Sequence, residues 1–137
     1  MRYFIDTNIF LFLHLDRDSL DADIRTLFED YENSFVIGVD SIREIMALQR
    51  SGKVHSKTWR SFADIKASLD ENAITIRYVD ESHLKTLYAL CPAPNHTDPV
   101  DLMIIAQAIT EDLPLISSDK KFPLYRKQGL TFIPNKR

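Results

Sequence analysis

The runs of β-forming residues in this chain are short, mostly apolar, and set apart by helix-length stretches. Arg2 to Ile5, Phe35-Val36-Ile37, Ile74 to Val79, Leu115-Ile116 and Thr131-Phe132-Ile133 are each too brief for a helix and read as strands. Strands apolar on both sides belong to a sheet covered on both faces, and strands alternating with helices imply parallel pairing. Only three Gly and six Pro interrupt 137 residues, which argues against a turn-rich all-β fold. The expectation is a three-layer α/β domain spanning residues 1–137, with a mainly parallel five-stranded sheet and helices on both faces.

Between these strands the apolar residues recur at helical spacing. Ile9 to Leu15 follows the first strand at once, and Ile24, Leu27, Phe28 and Tyr31 give the i, i+3, i+4, i+7 pattern of one helical face. Ser41 to Arg50 is predicted helical, with Gly52 as its C-cap. Trp59, Phe62, Ile65 and Leu69 form a further stripe, and Leu84, Leu87, Tyr88 and Cys91 another. The prolines of Cys91 to Asn95 mark a loop, and Pro99 to Ile109 is a strongly apolar helix. No apolar run approaches the ~18 residues of a membrane span. Met1 to Asp6 makes a poor signal peptide, and the lone Cys91 forms no internal disulfide. A cytoplasmic protein without a membrane partner is expected.

Ligands of open parallel sheets bind beyond the carboxyl ends of the strands, so the residues following each strand matter most. Asp6 follows the first strand. Asp40-Ser41-Ile42-Arg43-Glu44 follows the second, with Glu44 one helical turn in. Ser117-Ser118-Asp119 follows the fourth, and the helix before that strand opens with His96-Thr97-Asp98-Pro99-Val100-Asp101. Singly, each acid reads as a helix cap: Asp6 for the next helix, Ser41 with Glu44 as a capping box, Asp98 before Pro99 at N1, Asp119 for a turn around Phe122. Together these four stations, far apart in sequence, each present a carboxylate at one edge of the sheet.

Such a gathering is costly, since two unit charges about 4 Å apart repel by roughly 4 kcal/mol at an effective dielectric near 20. Raised carboxyl pKa values, cationic neighbours or a hard divalent cation relieve it. Oxygen donors favour Mg²⁺ or Mn²⁺ over zinc, and the four His are scattered in sequence. A carboxylate-held Mg²⁺ suits phosphate chemistry. The net charge of −3 and pI of about 5.8 exclude nucleic-acid binding by bulk electrostatics. An RNA substrate would need a local basic rim, for which Arg43, Lys120 and Lys121 are candidates, with Arg126, Lys127, Lys136 and Arg137 behind them.

Ile5-Asp6-Thr7-Asn8-Ile9, Glu44, the stretch from His96 to Ala108 containing Asp98-Pro99-Val100-Asp101 and Ile104-Ile105-Ala106-Gln107-Ala108, and Leu115-Ile116-Ser117-Ser118-Asp119 together resemble the PIN-domain nucleases. The nearest likeness is to VapC-type toxins of bacterial toxin–antitoxin pairs. The resemblance spans nearly the whole chain and implies a PIN-like sheet with Mg²⁺ or Mn²⁺ at its carboxyl edge, cleaving RNA phosphodiesters. It implies a catalytic set of Asp6, Glu44, Asp101 and Asp119, with Asp6 and Asp101 as principal metal ligands. Asn8 and Ser117 are implied to orient carboxylates or waters, while Asp98 caps its helix with a further role in the outer surroundings of the metal. It further implies a homodimer and a cognate antitoxin. Gly38, Val100 and Leu102 depart from residues common in the family (Ser, an aromatic and Arg), and none of these departures touches the acids.

Other readings of the pattern are weaker. A haloacid-dehalogenase-like phosphatase would carry a second acid where Asn8 stands, and a receiver domain would show adjacent early acids where residues 2–12 hold only Asp6. A catalytically inactive RNA-binding or scaffold domain on the same fold is the remaining alternative.

Overall fold

The computed structural model describes residues 1–136, so Arg137 lies outside the described residues. Five strands, β1 (Arg2–Ile5), β2 (Ser34–Gly38), β3 (Ile74–Arg77), β4 (Leu115–Ser117) and β5 (Phe132–Pro134), form one sheet in the order β3-β2-β1-β4-β5. Every pairing is parallel. Helices α1 (Thr7–Leu15) and α2 (Ala22–Glu29) connect β1 to β2. Helices α3 (Val39–Arg50) and α4 (Phe62–Glu71) lead to β3, and α5 (Glu81–Ala89) and α6 (Pro99–Glu111) to β4. A 3₁₀ segment, Phe122–Gln128, replaces a full helix before β5.

The two-residue period of the strands divides the core into two layers. Tyr3, Ile5, Phe35, Ile37 and Ile116 face one cluster, which Ile9, Phe10, Ile24, Ile45, Trp59, Ile65 and Leu69 complete. Phe4, Val36 and Leu115 face the other, against Ile104, Ile105 and Ala108 of α6 and Phe122 and Tyr125 of the 3₁₀ segment. Because β1 pairs with β2 on one side and β4 on the other, the connections diverge at its carboxyl end, and a crevice opens there. Among the described residues no helix is long and apolar enough to cross a membrane.

Several expected boundaries shift, each for a local reason. The stripe ending in Tyr31 breaks at Glu29, where Asn33 Nδ2 donates to the Leu27 carbonyl and Asp30 accepts from Glu32 N–H; Tyr31 is fully exposed. Ser41 and Glu44 form no capping box. The helix begins two residues earlier, at Val39 after Gly38, and Ser41 is buried within its first turn. Gly38 leaves room for Gln107 of α6, whose Oε1 would lie 2.5 Å from a Cβ at that position. Gly52 takes a left-handed φ of 79° one residue beyond the cap, Ser51. Trp59 precedes its helix, which Ser61 caps through Asp64 N–H; its indole N–H instead donates to Ser68 Oγ at 2.8 Å while Phe62 is half exposed. Helix α5 turns the opposite way from its apolar stripe. His83, bonded to Asp80 N–H and Glu111, is buried, while Leu84, Tyr88 and Cys91 are exposed.

Candidate active site

Asp6 ends β1 and starts α1, and its backbone is extended as an N-cap requires. Its Oδ1 accepts from Ile9 N–H at 3.0 Å and its Oδ2 from Ser117 Oγ–H at 2.5 Å. Ser117 Oγ in turn accepts from Asp119 N–H at 3.0 Å, so the ends of β1 and β4 are tied through one carboxylate and one hydroxyl. Asp119 accepts from Lys121 N–H at 2.8 Å, closing the turn ahead of Phe122. Asp98 caps α6, accepting from Val100 and Asp101 N–H, with Pro99 beside it at the start. For Asp6, Asp98 and Asp119, capping and convergence are therefore not alternatives: each accepts backbone N–H groups and also lines the crevice, whereas Glu44 and Asp101 cap nothing.

One cavity of about 400 Å³ brings together Asp6, Asn8, Glu44, Asp98, Asp101 and Asp119. Burial pushes the Asp6 carboxyl up to about 6, aided by the charges of Asp101 and Asp119 and opposed by the Ser117 and Ile9 bonds. Burial likewise raises Asp101 to about 6, with Asp98 and Asp119 adding to the rise and His96 opposing it. The three residues expected to form a basic rim are exposed, and two of them are engaged. Arg43 pairs with Asp40 at 3.1 Å, and Lys121 Nζ donates to the Asn95 carbonyl. Lys120 stands beside Ser118 and Asp119 on a neighbouring hollow.

Four side chains at this edge escaped the sequence reading. His96, treated there as one of four scattered histidines, is buried with Nε2 3.3 Å from Asp101 Oδ2. Donor atoms of His96, Asp101 and Asp119 lie within 4.8 Å of one another. Tyr125 carries His96 from beneath, 2.7 Å from Nδ1. Thr7 Oγ1 is buried at the cavity with no hydrogen-bond partner among the described residues. Asn135 bonds Ser118 Oγ, the Ser19 carbonyl and Asp21 N–H, stitching the chain end to the loop after β4. The sequence signal for His96 was its place two residues before Asp98-Pro99, and for Thr7 its place between Asp6 and Asn8; Tyr125 and Asn135 carried none.

These donors fit a hard divalent cation. They are chiefly carboxylate oxygens, burial and neighbouring acids push two of them up to about 6, and an orphaned hydroxyl lines the same cavity.

A parallel three-layer fold with an acidic cluster at the carboxyl edge of its central strands defines a class of α/β proteins suited to phosphodiester chemistry. The PIN-domain model matches residues 3–128, and the chain belongs to that family, whose members are nucleases. No curated protein matches it in sequence. Among solved structures its fold is similar to VapBC2 from Rickettsia felis bound to a DNA fragment from its promoter. The TM-score is 0.65 at 20% identity, covering 99% of this chain and 100% of that one. It is also similar to VapBC-1 from nontypeable Haemophilus influenzae, with TM-score 0.63, 19% identity and 98% of both chains covered. VapBC-5 from Mycobacterium tuberculosis, of a toxin–antitoxin family, gives TM-score 0.64 at 19% identity over 97% and 98%.

Proposed function

We propose that this chain is a Mg²⁺- or Mn²⁺-dependent endoribonuclease and the toxin of a bacterial toxin–antitoxin pair, with residues 1–137 as one nuclease unit in the cytoplasm. The observation that carries this reading is the convergence of Asp6, Glu44, Asp101 and Asp119 on one cavity at the divergence of the sheet connections. Asp6 and Asp101, the two with raised carboxyl pKa values, are the principal ligands, and Glu44 and Asp119 complete the acid set. A divalent ion held by Asp6 and Asp101 would supply water activation and would neutralise charge at the phosphate and the leaving oxygen.

The protein's own residues prepare that chemistry. Ser117 holds Asp6 by one oxygen, and the Ile9 amide holds the other, so the carboxylate cannot swing. Asn8, the one exposed residue of the first turn of α1, orients water or substrate at the cavity mouth. Asp98 is committed to capping α6, and its bond to the Asp101 N–H fixes the first turn from which Asp101 reaches the cavity. RNA approaches past Lys120, with Arg43 and Lys121 available once their weak exposed contacts are exchanged for phosphate.

The partners proposed are RNA, a second copy of the chain, and an antitoxin whose apolar helix lies in the groove of residues 20–31 and 56–70. The toxin assignment rests on the fold shared with VapBC proteins as well as on the site. The direct test is single-turnover cleavage of RNA with Mn²⁺ by the wild type and Asp101→Asn. Cleavage by the wild type alone is expected; equal cleavage by both would remove the site, and harmless production in bacteria lacking an antitoxin would remove the toxin role.

A further inference from the structure

His96 belongs to the loop before α6, not to any helix or strand, yet it is among the most enclosed polar residues of the molecule. Its ring packs against Phe122 and Tyr125 of the 3₁₀ segment, with centroids 6.0 and 5.5 Å away. The polar contacts run in a line. Ala93 N–H donates to the Tyr125 hydroxyl at 2.8 Å, that hydroxyl is 2.7 Å from His96 Nδ1, and His96 Nε2 is 3.3 Å from Asp101 Oδ2.

The direction of this line follows from proton counting. A tyrosine hydroxyl has one proton, and Tyr125 already accepts the Ala93 N–H. Among the described residues the acceptor for its own proton is His96 Nδ1, so the neutral ring carries its proton on Nε2 and donates it to Asp101. An imidazole that donates from Nε2 to a carboxylate is not itself free to coordinate a cation through that nitrogen. It holds the carboxylate instead. Asp101 needs holding, because the charges of Asp98 and Asp119 repel it and its own helix position leaves it several rotamers.

We propose that His96, seated on the Tyr125 hydroxyl, is a positioning residue that orients Asp101 for binding a divalent cation. This rests on the reading that the acidic cavity takes such an ion, and it adds a role for two residues outside the acid set. It also accounts for a buried polar chain reaching from a proline-rich loop through the second core layer to the site. A hydrogen bond to a metal-bound carboxylate fixes its plane, and loss of such supporting bonds weakens metal affinity about 10- to 100-fold.

Calorimetric titration with Mn²⁺, well below each protein's melting temperature, tests this on the wild type, His96→Ala, His96→Gln and Tyr125→Phe. His96→Ala should bind about 10- to 100-fold more weakly. Tyr125→Phe should show a smaller loss. His96→Gln should recover most of the affinity, because its amide N–H can replace Nε2–H towards Asp101. Nitrogen-15 spectra of the apo wild type should show the Nε2–H tautomer of His96. Unchanged affinity in folded His96→Ala, or an Nδ1–H tautomer in the wild type, would overturn the proposal. So would His96→Gln as weak as His96→Ala, the pattern of a direct ligand. If His96→Ala does not fold, the Gln and Phe variants with the tautomer decide the matter. A wild type that binds Mn²⁺ but leaves RNA intact would defeat the ribonuclease reading while leaving this one standing.

Discussion

Replacing Asp6 with Asn should make the metal-free protein more stable, even though it removes the residue closest to the centre of the proposed chemistry. Asp6 is 7% exposed, and its carboxyl sits at about 6 against an ordinary 3.8. Ionising it in the folded state is thus opposed by about two pK units, which corresponds to roughly 3 kcal/mol at most. Asn keeps the Oδ1 that caps α1 and caps about as well as Asp, and the Ser117 hydroxyl can turn to accept from the new amide. With some of the gain lost to that poorer bond, a net stabilisation of about 2 kcal/mol is expected at pH 7, a rise of roughly 5–10 °C in melting temperature. The sign depends on pH. Below 3.8 both folded and unfolded chains hold the proton, and the advantage vanishes. Between 3.8 and about 6 the folded wild type keeps a proton that the unfolded chain has released, so wild-type stability falls as pH rises. Above about 6 the loss is complete and the variant's advantage is at its full size. Melting curves of both proteins in EDTA from pH 4 to 8, at constant ionic strength, measure this. A variant that is less stable than wild type at pH 7, or more stable by the same amount at pH 4, would refute the argument from burial and clustered charge.

Saturating Mn²⁺ should reverse that order, raising the wild-type melting temperature by mass action and the Asp6→Asn protein's much less; a wild type indifferent to Mn²⁺ at matched ionic strength would count against the site. Because burial pushes Asp6 and Asp101 up to about 6, the Mn²⁺ effect should be larger at pH 7 than at pH 5, and a shift equal at both would refute competition between protons and the ion at raised carboxyl pKa values. Asp98→Asn should keep the cap of α6 and most RNA cleavage, whereas Asp101→Asn should cut the single-turnover rate by about 100-fold or more, roughly 2.7 kcal/mol of barrier. The reverse ranking would move the ligand role to Asp98. Gly38→Ala should destabilise by about 1–3 kcal/mol through crowding of Gln107 Oε1, and adding Gln107→Ala should recover part of the loss in a denaturant double-mutant cycle; strict additivity would exclude that contact as the cause.

Local chemistry decided much of this protein before any tertiary contact. The apolar runs of Phe35 to Ile37 and Leu115-Ile116 specify buried strands because only a sheet covered on both faces hides both of their sides. Asp6, Asp98 and Asp119 sit where chain direction changes, since an acid there satisfies backbone N–H groups left open by the turn. That made the acids legible at the strand and helix ends. The faces of the peripheral helices were less so. In α5 the buried position went to His83, whose two ring nitrogens meet Asp80 N–H and Glu111, and the apolar Leu84 and Tyr88 were left outside. The start of α3 at Val39 rather than beyond Ser41 was not legible either, nor was the close approach of Gln107 from α6 to Gly38, 69 positions away.

The buried supports of the site lie further still from sequence pattern. His96 and Tyr125 meet across 29 residues, Ser117 and Asp6 across 111, and Asn135 reaches Asp21 across 114. No periodicity links such pairs, because hydrogen bonds of this kind depend on where the packed layers bring two loops together. The sequence by itself therefore determined which groups carry charge and where the chain must turn. Only the packing of α6 and the 3₁₀ segment in the second core layer decided that, of the two buried histidines, His96 would be the one aimed at Asp101.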